Sequence, residues 1–243
     1  MKKYFLTAFV FAIIAAHAQI RQGTIIYERK VDVHRRMQDA QMKAMVPQFQ
    51  TTKSELIFSD NISVYKALPE DNTPDPFNSG GGNVVMIKID GPGENSVLYK
   101  NYSNQQFLEQ TELADKAYII DDTIKTSPWK LSDDTKTIMN HPCKKATMKT
   151  ERGSDVTAWY AEDISSPVGP DRFGGLPGTI LLADVNNGEM VYTATEFNKE
   201  ADEKELTGPS KGKHITRADF DKKLDEMFGP ATPDGRRIIT REN

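Results

Sequence analysis

Cysteine is nearly absent from this 243-residue chain, which has Cys143 alone. A single thiol cannot close an internal disulfide, and this excludes the small secreted proteins that depend on disulfide frameworks. Stability must then come from a packed apolar core, which a chain of this length can build. We expect Cys143 to be a buried small hydrophobe, because free cysteine is among the most buried residue types.

Long apolar runs are also missing. The one extended run, residues 4–15, follows two lysines and is shorter than the roughly 20 residues that span a bilayer. Small residues follow at 16 and 18, so the pattern is typical of a secretory signal peptide. We predict a mature chain that begins at Gln19, has no transmembrane segment, and is exported to the periplasm or the periplasmic face of the outer membrane.

Positive charge is not in excess either: 31 Lys and Arg stand against 35 Asp and Glu, a formal charge of −4. Loss of the two leader lysines would shift it to −6. A nucleic-acid partner calls for a clustered basic face, so we predict none.

Catalytic motifs are lacking as well. The chain has neither Gly-x-Ser-x-Gly nor His-Glu-x-x-His. The adjacent acidic pairs at 121–122 and 133–134 would point to opposite faces of a strand, which argues against an acid–base dyad. We therefore predict a protein that is not an enzyme and has no cofactor.

What the chain does contain is many short runs of β-branched and aromatic residues separated by turn residues. We predict strands at residues 24–31, 53–59, 62–67, 84–89, 96–102, 106–110, 117–121, 129–131, 136–139, 144–149, 156–160, 179–185 and 190–197. The close spacing predicts a mainly β fold: a curved antiparallel sheet, a sandwich or a half-barrel.

Two helices are expected, one early and one C-terminal. Residues 35–46 favour a short helix before Pro47. Thr216 and Asp219 resemble a capping box, and Gly229 would end the helix that they open. The predicted domains are a signal peptide at 1–18, a β-rich domain at 19–197, a charged linker at 198–213, and a helix with a tail at 214–243.

Residues 68–82 are rich in Pro and Gly and cannot form a ladder or a helix. This segment is either plain disorder or a lid over a concave sheet, with Phe77 as its apolar anchor.

The most distinctive run is 169–180, where glycines and prolines surround Leu176. Pro177 and Gly178 suit a type II turn with positive φ at the glycine, and Gly174 with Gly175 would allow a close backbone approach. The alternative is a nest of N–H groups for an anion or peptide carboxylate, assisted by Arg172. These six residues form the candidate site: Arg172, Gly174, Gly175, Leu176, Pro177 and Gly178.

A soft-metal site is a weaker alternative. Thioether, imidazole and thiol donors suit copper(I). The candidates are Met37, Met42, Met45, His141 and Cys143. The methionines could equally fill gaps in a core, so we predict no metal.

Four motifs in one order resemble the GLPGLI family of exported envelope proteins, found mainly in Bacteroidota. They are the runs at 129–131, 141–146 and 158–160, followed by the glycine-rich run. The chain departs from the family pattern at Thr179 and at residues 140–142. The resemblance implies a periplasmic or surface β-rich accessory protein of outer-membrane receptors and barrels, with no catalytic residue to carry over.

Export, acidity, the missing catalytic sets and this resemblance predict a non-enzymatic periplasmic binding or accessory protein. It would work with an outer-membrane receptor or barrel complex and use the C-terminal helix for docking. The alternatives are a copper-binding protein, or a carrier of lipid or hydrophobic peptide on a concave sheet.

Overall fold

The computed structural model describes residues 19–37, 39–69, 86–87, 96–230 and 238–239. The predicted signal peptide at 1–18 lies outside the described residues, as does most of the 68–82 segment with Phe77. Within the described residues, no helix combines the length and the apolar character needed to cross a membrane.

Strands make up most of the structure. They are β1 (Gly23–Asp32), β2 (Phe49–Phe58), β3 (Ile62–Ala67), β4 (Met86–Ile87), β5 (Val97–Asn101), β6 (Gln106–Leu113), β7 (Lys116–Thr123), β8 (Lys130–Ile138), β9 (His141–Lys149), β10 (Asp155–Ala161), β11 (Thr179–Val185), β12 (Met190–Asn198), β13 (Lys213–Thr216) and β14 (Ile238–Ile239). The helices are a 3₁₀ turn (Val33–Arg36), α1 (Ala40–Met45) and α2 (Arg217–Phe228).

One sheet holds twelve of these strands, in the order β13-β7-β6-β5-β3-β2-β1-β12-β11-β10-β9-β8. β1 lies near the middle, with a first arm from β2 to β7 and a second arm from β12 to β8. Neighbours are antiparallel except β13, which pairs parallel with β7. β4 and β14 form a separate two-stranded pair. The predicted mainly β fold with a C-terminal helix is confirmed.

The two arms share one core, so the sheet curves. Strand β6 and strand β10 are seven strand spacings apart, which would exceed 30 Å on a flat sheet at about 4.8 Å per strand. Yet Glu109 of β6 binds Arg172 in the segment between β10 and β11 at 2.7 Å, and Phe107 of β6 and Ala158 of β10 belong to the same buried cluster. Tyr27 of β1 lies at the centre of this inner face and donates its hydroxyl to the carbonyl of Ile180 at 2.6 Å.

The outer face of the first arm is covered by the segment between β12 and β13, the stretch predicted as a charged linker. Leu206 of this segment packs against a second cluster that includes Val64, Tyr99 and Ile119. Because the segment crosses the outer face, it can deliver β13 to the far edge beside β7.

α2 packs on the inner side of the same edge. Phe220 lies edge-to-face with Tyr118 of β7, with ring centroids 5.7 Å apart. Thr216 accepts the N–H of Asp219 at 3.1 Å, and Gly229 follows the helix at φ +76°. The predicted cap and stop are therefore present. The early helix, by contrast, divides into the 3₁₀ turn and α1.

β11 and β12, both predicted as strands, form a hairpin that turns at Asn186 and Asn187, whose φ values are 51° and 53°. Left-handed backbone at a tight turn is what asparagine tolerates best. Two predicted strands, 129–131 and 136–139, are instead one strand, β8, with a register shift between Leu131 and Thr135.

Candidate functional site

The glycine-rich run lies on the inner face of the sheet, between β10 and β11. Leu176 of the run is buried in the main core, together with Ile164 and Val168 just before the run. The backbone is tied back on itself, since Thr179 donates to the carbonyl of Ile164 and Ile180 donates to that of Val168. The run therefore fills the space between the two arms as part of the core.

Two glycines in the run have roles opposite to those predicted. Gly178 does not have positive φ; instead, a Cβ there would collide with the carbonyl oxygen of Ala161. Positive φ falls at Gly175, at 80°, where a Cβ would meet nothing within 4 Å. At Gly174 a Cβ would lie 2.8 Å from the carbonyl oxygen of Pro167. The expected type II turn with positive φ at Gly178 is thus wrong, and Gly178 instead allows a close approach of two segments of the chain.

Lys100 of β5 points into this corner. Its Nζ lies 3.4, 3.1 and 3.3 Å from the carbonyl oxygens of Asp171, Arg172 and Phe173. Burial lowers the pKa of Lys100 to about 8, and the Asp171 carboxylate opposes that change. Three carbonyl acceptors compensate a buried ammonium only in part, because they carry no net charge.

Glu109 of β6 makes the second charged contact with the run. Both of its carboxylate oxygens accept from Arg172 at 2.7 Å, and Arg217 at the start of α2 also binds it. Burial alone would raise the pKa of Glu109, but the two guanidinium groups hold it below the usual value. One buried carboxylate therefore ties together β6, the glycine-rich run and the C-terminal helix.

Further polar contacts hold the run in place. The hydroxyl of Tyr192 donates to Oδ2 of Asp171 at 2.9 Å, and the indole N–H of Trp129 donates to the carbonyl of Gly174 at 2.9 Å. Asp171 itself has φ of 54°. Non-glycine residues rarely adopt this conformation, so the surrounding contacts impose it.

These contacts bear on the anion-nest hypothesis. The carbonyls at 171–173 point to a cation, which is the opposite of a nest. The N–H groups of Phe173 and Gly175 already donate to Pro170 and Pro167. Arg172, the proposed assistant, is bound to Glu109. Chemically, this arrangement can fix the position of the run.

The soft-metal candidates occupy different environments. Met37 is buried in the core, whereas Met45 is 82% exposed, and the side chain of Met42 lies outside the described part. His141 Nδ1 lies 2.6 Å from Asp163 Oδ2. Burial raises the pKa of the Cys143 thiol to about 11. The described residues contain no group of three His, Cys, Asp or Glu side chains able to hold a metal ion.

Cavities were expected beneath the concave face if the protein carries lipid. Two grooves among the described residues lie elsewhere. One of about 480 Å³ is lined by polar and apolar residues of β1, β2, β12 and the segment after β12, and one of about 170 Å³ lies between α2 and the β6–β7 turn. Neither is an enclosed apolar cavity of the kind an acyl chain needs.

Sequence reasoning missed Lys100, Glu109 and Arg217. A signal for two of them exists in the strand alternation. Leu98 and Lys100 share one face of β5, and Phe107 and Glu109 share one face of β6. A charged residue in register with core residues marks a buried ion, but the sequence does not show its partner.

The family comparison agrees with this architecture. The family described as PNGase_F-II_N, "N-glycanase peptide, N-terminal domain", matches residues 82–220, more than half of the chain. The chain belongs to this family. The PNGase_F-II_N match contains Lys100, Glu109, Arg172 and Arg217, and thus the whole charged network of the inner face. No curated protein matches the sequence.

Two solved structures of PNGF-II, in different crystal forms, share the fold of this PNGase_F-II_N chain. The C2 form has a TM-score of 0.56 and 14% identity over 86% of this chain and 33% of its own. The P21 form has a TM-score of 0.56 and 13% identity over 86% of this chain and 34% of its own. The chain thus spans about a third of the length of the PNGF-II structures that it matches.

Proposed function

We propose that this chain is an exported, non-enzymatic binding protein that works with an outer-membrane receptor or barrel complex. The observation that carries the proposal is the match at residues 82–220, which is to a domain described as N-terminal in an N-glycanase. A domain that occupies about a third of PNGF-II suits a binding role alongside other polypeptide. The resemblance to GLPGLI proteins, still a prediction, implies a location in the periplasm or at the cell surface.

The chemistry of the described residues supports binding over catalysis. The charged groups of the inner face are engaged with one another, as Glu109 is with Arg172 and Arg217. The one thiol has a pKa raised to about 11 by burial, so it stays protonated at neutral pH and is a poor nucleophile.

We place the partner-docking surface at the C-terminal end of α2. Phe220 and Met227 lie two turns apart on one face of the helix: Phe220 is buried against the sheet, whereas Met227 is 49% exposed beside the groove between α2 and the β6–β7 turn. Protein interfaces combine apolar side chains at the centre with charged and polar side chains at the rim. Deleting α2 would also uncover Tyr118, so substitutions test the surface better than truncation does.

The experiment is an affinity purification of the tagged chain from detergent-solubilised envelopes of its source cells. Wild type should recover an outer-membrane protein in stoichiometric amount, and Met227→Asp should lose it. Leu131→Asp, at a similarly exposed residue on the β8 edge, is the matched control and should retain the partner. Recovery of the tagged chain alone by wild type would contradict the proposal.

A second assay separates binding from catalysis. The full chain, incubated with an N-glycosylated peptide, should release no glycan, as followed by the mass of the peptide. Glycan release by highly purified wild type would show that the protein is an enzyme and would contradict the non-enzymatic part of the proposal.

A further inference from the structure

Large apolar side chains are exposed at four described positions: Met45 at 82%, Leu131 at 58%, Met227 at 49% and Phe49 at 44%. Single exposed apolar residues are normal on protein surfaces. Two of these four, however, lie four residues apart, with Pro47 exposed between them. We name residues 30–53 the α1 tip, because they run from the end of β1 through α1 into β2.

The α1 tip is held firmly to the body of the protein. Val33 and Met37 are buried, and Val46 packs against the main core. The N–H of Val33 donates to the carbonyl of Gln48 at 2.9 Å, and His34 Nε2 lies 3.0 Å from the carbonyl of Val46. The exposed side chains are therefore presented on an anchored base and do not belong to a frayed segment.

Charge around the tip differs from that of the whole chain. Residues 30–53 contain five Lys and Arg against two Asp, whereas the whole chain has a formal charge of −4. Arg36 is engaged with Glu189 at 2.7 Å, and Arg35 lies 3.8 Å from Asp32. The tip also has three lysines, Lys30, Lys43 and Lys53. The Nζ of Lys30 lies 4.1 Å from the centroid of the Phe49 ring.

We propose that the α1 tip is a contact surface for an anionic lipid membrane. Two exposed apolar side chains in a segment that also carries three lysines, one of them over the Phe49 ring, have the chemistry of an interfacial anchor: the apolar groups enter the boundary of the acyl chains and the ammonium groups meet the lipid phosphates. The α1 tip lies outside the 82–220 family match and apart from α2, so the inference does not rest on the proposed partner.

The test is co-sedimentation of the full mature chain with phosphatidylcholine vesicles, with and without phosphatidylglycerol. Binding is expected only with the anionic lipid, and it should fall as salt rises, because lysine–phosphate attraction is screened. Met45→Ser with Phe49→Ser should weaken binding about tenfold or more through lost apolar burial. Lys30→Glu with Lys43→Glu should remove the preference for anionic lipid.

The matched control is Leu131→Ser with Met227→Ser, which removes the other two exposed apolar side chains and should bind vesicles like wild type. All variants change exposed or partly exposed side chains, and thermal unfolding by circular dichroism checks that each is folded. Equal binding by the two apolar pairs, or no binding by wild type, would overturn the proposal. So would a dimer in size-exclusion chromatography that the Met45 and Phe49 variant abolishes, since it would assign the tip to a second copy.

Discussion

The inner-face network and the α1 tip both place side chains against their usual preference, in opposite senses. On the inner face, Lys100 and Glu109 are buried charges, and each is surrounded by partners from elsewhere in the chain. At the α1 tip, Met45 and Phe49 are apolar and face solvent. A buried charge costs free energy unless it is paired, whereas an exposed apolar side chain costs folding almost nothing. The first arrangement therefore holds the fold together, and the second is available for contact with something else.

Removing the buried carboxylate of the inner-face network should give the largest loss of stability. Glu109→Ala leaves two arginines without their carboxylate and should lower the free energy of unfolding by about 3 kcal/mol, the low end for a buried pair, because both guanidinium groups keep access to water. Urea denaturation measures it. Glu162→Ala breaks the exposed pair with Lys144 and should cost less than about 1 kcal/mol. Equal losses would show that the inner pair has no special role.

The pKa of Lys100 predicts a dependence of stability on pH that also comes from the inner-face network. This pKa falls from 10.5 to about 8 in the folded chain. Between pH 8 and 10 Lys100 is more protonated in the unfolded chain than in the folded one, so its contribution to stability rises with pH, by roughly 2–3 kcal/mol at about 1.4 kcal/mol per pKa unit. Urea denaturation across this range should show the rise.

Lys100→Met should flatten that slope, because no group remains there to titrate. Cys143 opposes the rise above about pH 9, because burial raises the pKa of its thiol from 9.0 to about 11. Tyr27 and Tyr192, whose pKa values burial also raises, lower stability above about pH 10. A slope that is unchanged in Lys100→Met would contradict the assignment to this lysine.

A smaller effect distinguishes close approach from backbone strain in the glycine-rich run. Gly178→Ala should lower the free energy of unfolding by about 2 kcal/mol, because the new methyl group meets the backbone of Ala161 and the two segments have to separate. Gly175→Ala should cost about 1 kcal/mol, from the positive φ alone. Thermal unfolding of the two variants measures the order, and the reverse order would restore the turn that the sequence predicts.

The α1 tip should give the smallest change in stability. Met45→Ser should alter the free energy of unfolding by less than about 0.5 kcal/mol, since the side chain has few contacts to lose. Chemical denaturation compares it with wild type. A loss above 1 kcal/mol would mean that Met45 packs against the protein, and the tip would then not be a free surface.

Local patterns predicted most of the elements. The Asn186–Asn187 turn and the capped helix α2 are decided by neighbours within a few residues, and both are present. The early helix was predicted too long, because the composition of 35–46 does not reveal that Met37 is drawn into the core in an extended conformation. The role of Gly178 was predicted incorrectly, because the carbonyl that it approaches belongs to Ala161, on another strand.

The candidate site shows the same division. The run at 169–180 stands out by composition, and Arg172 was singled out within it. Its partner Glu109 is 63 residues away, and no pattern links the two. Lys100 is about as far from the carbonyls that surround it.

The sequence by itself determined the β-rich fold, the turns, the helix cap and the lone thiol, because each depends on residue type and short spacing. Only the tertiary structure decided that the arms curve around one core, that Glu109 joins two arginines from distant segments, and that Met45 and Phe49 remain outside. These outcomes depend on which segments meet across the sheet, and the free energy of burying or pairing a group exists only once they have met.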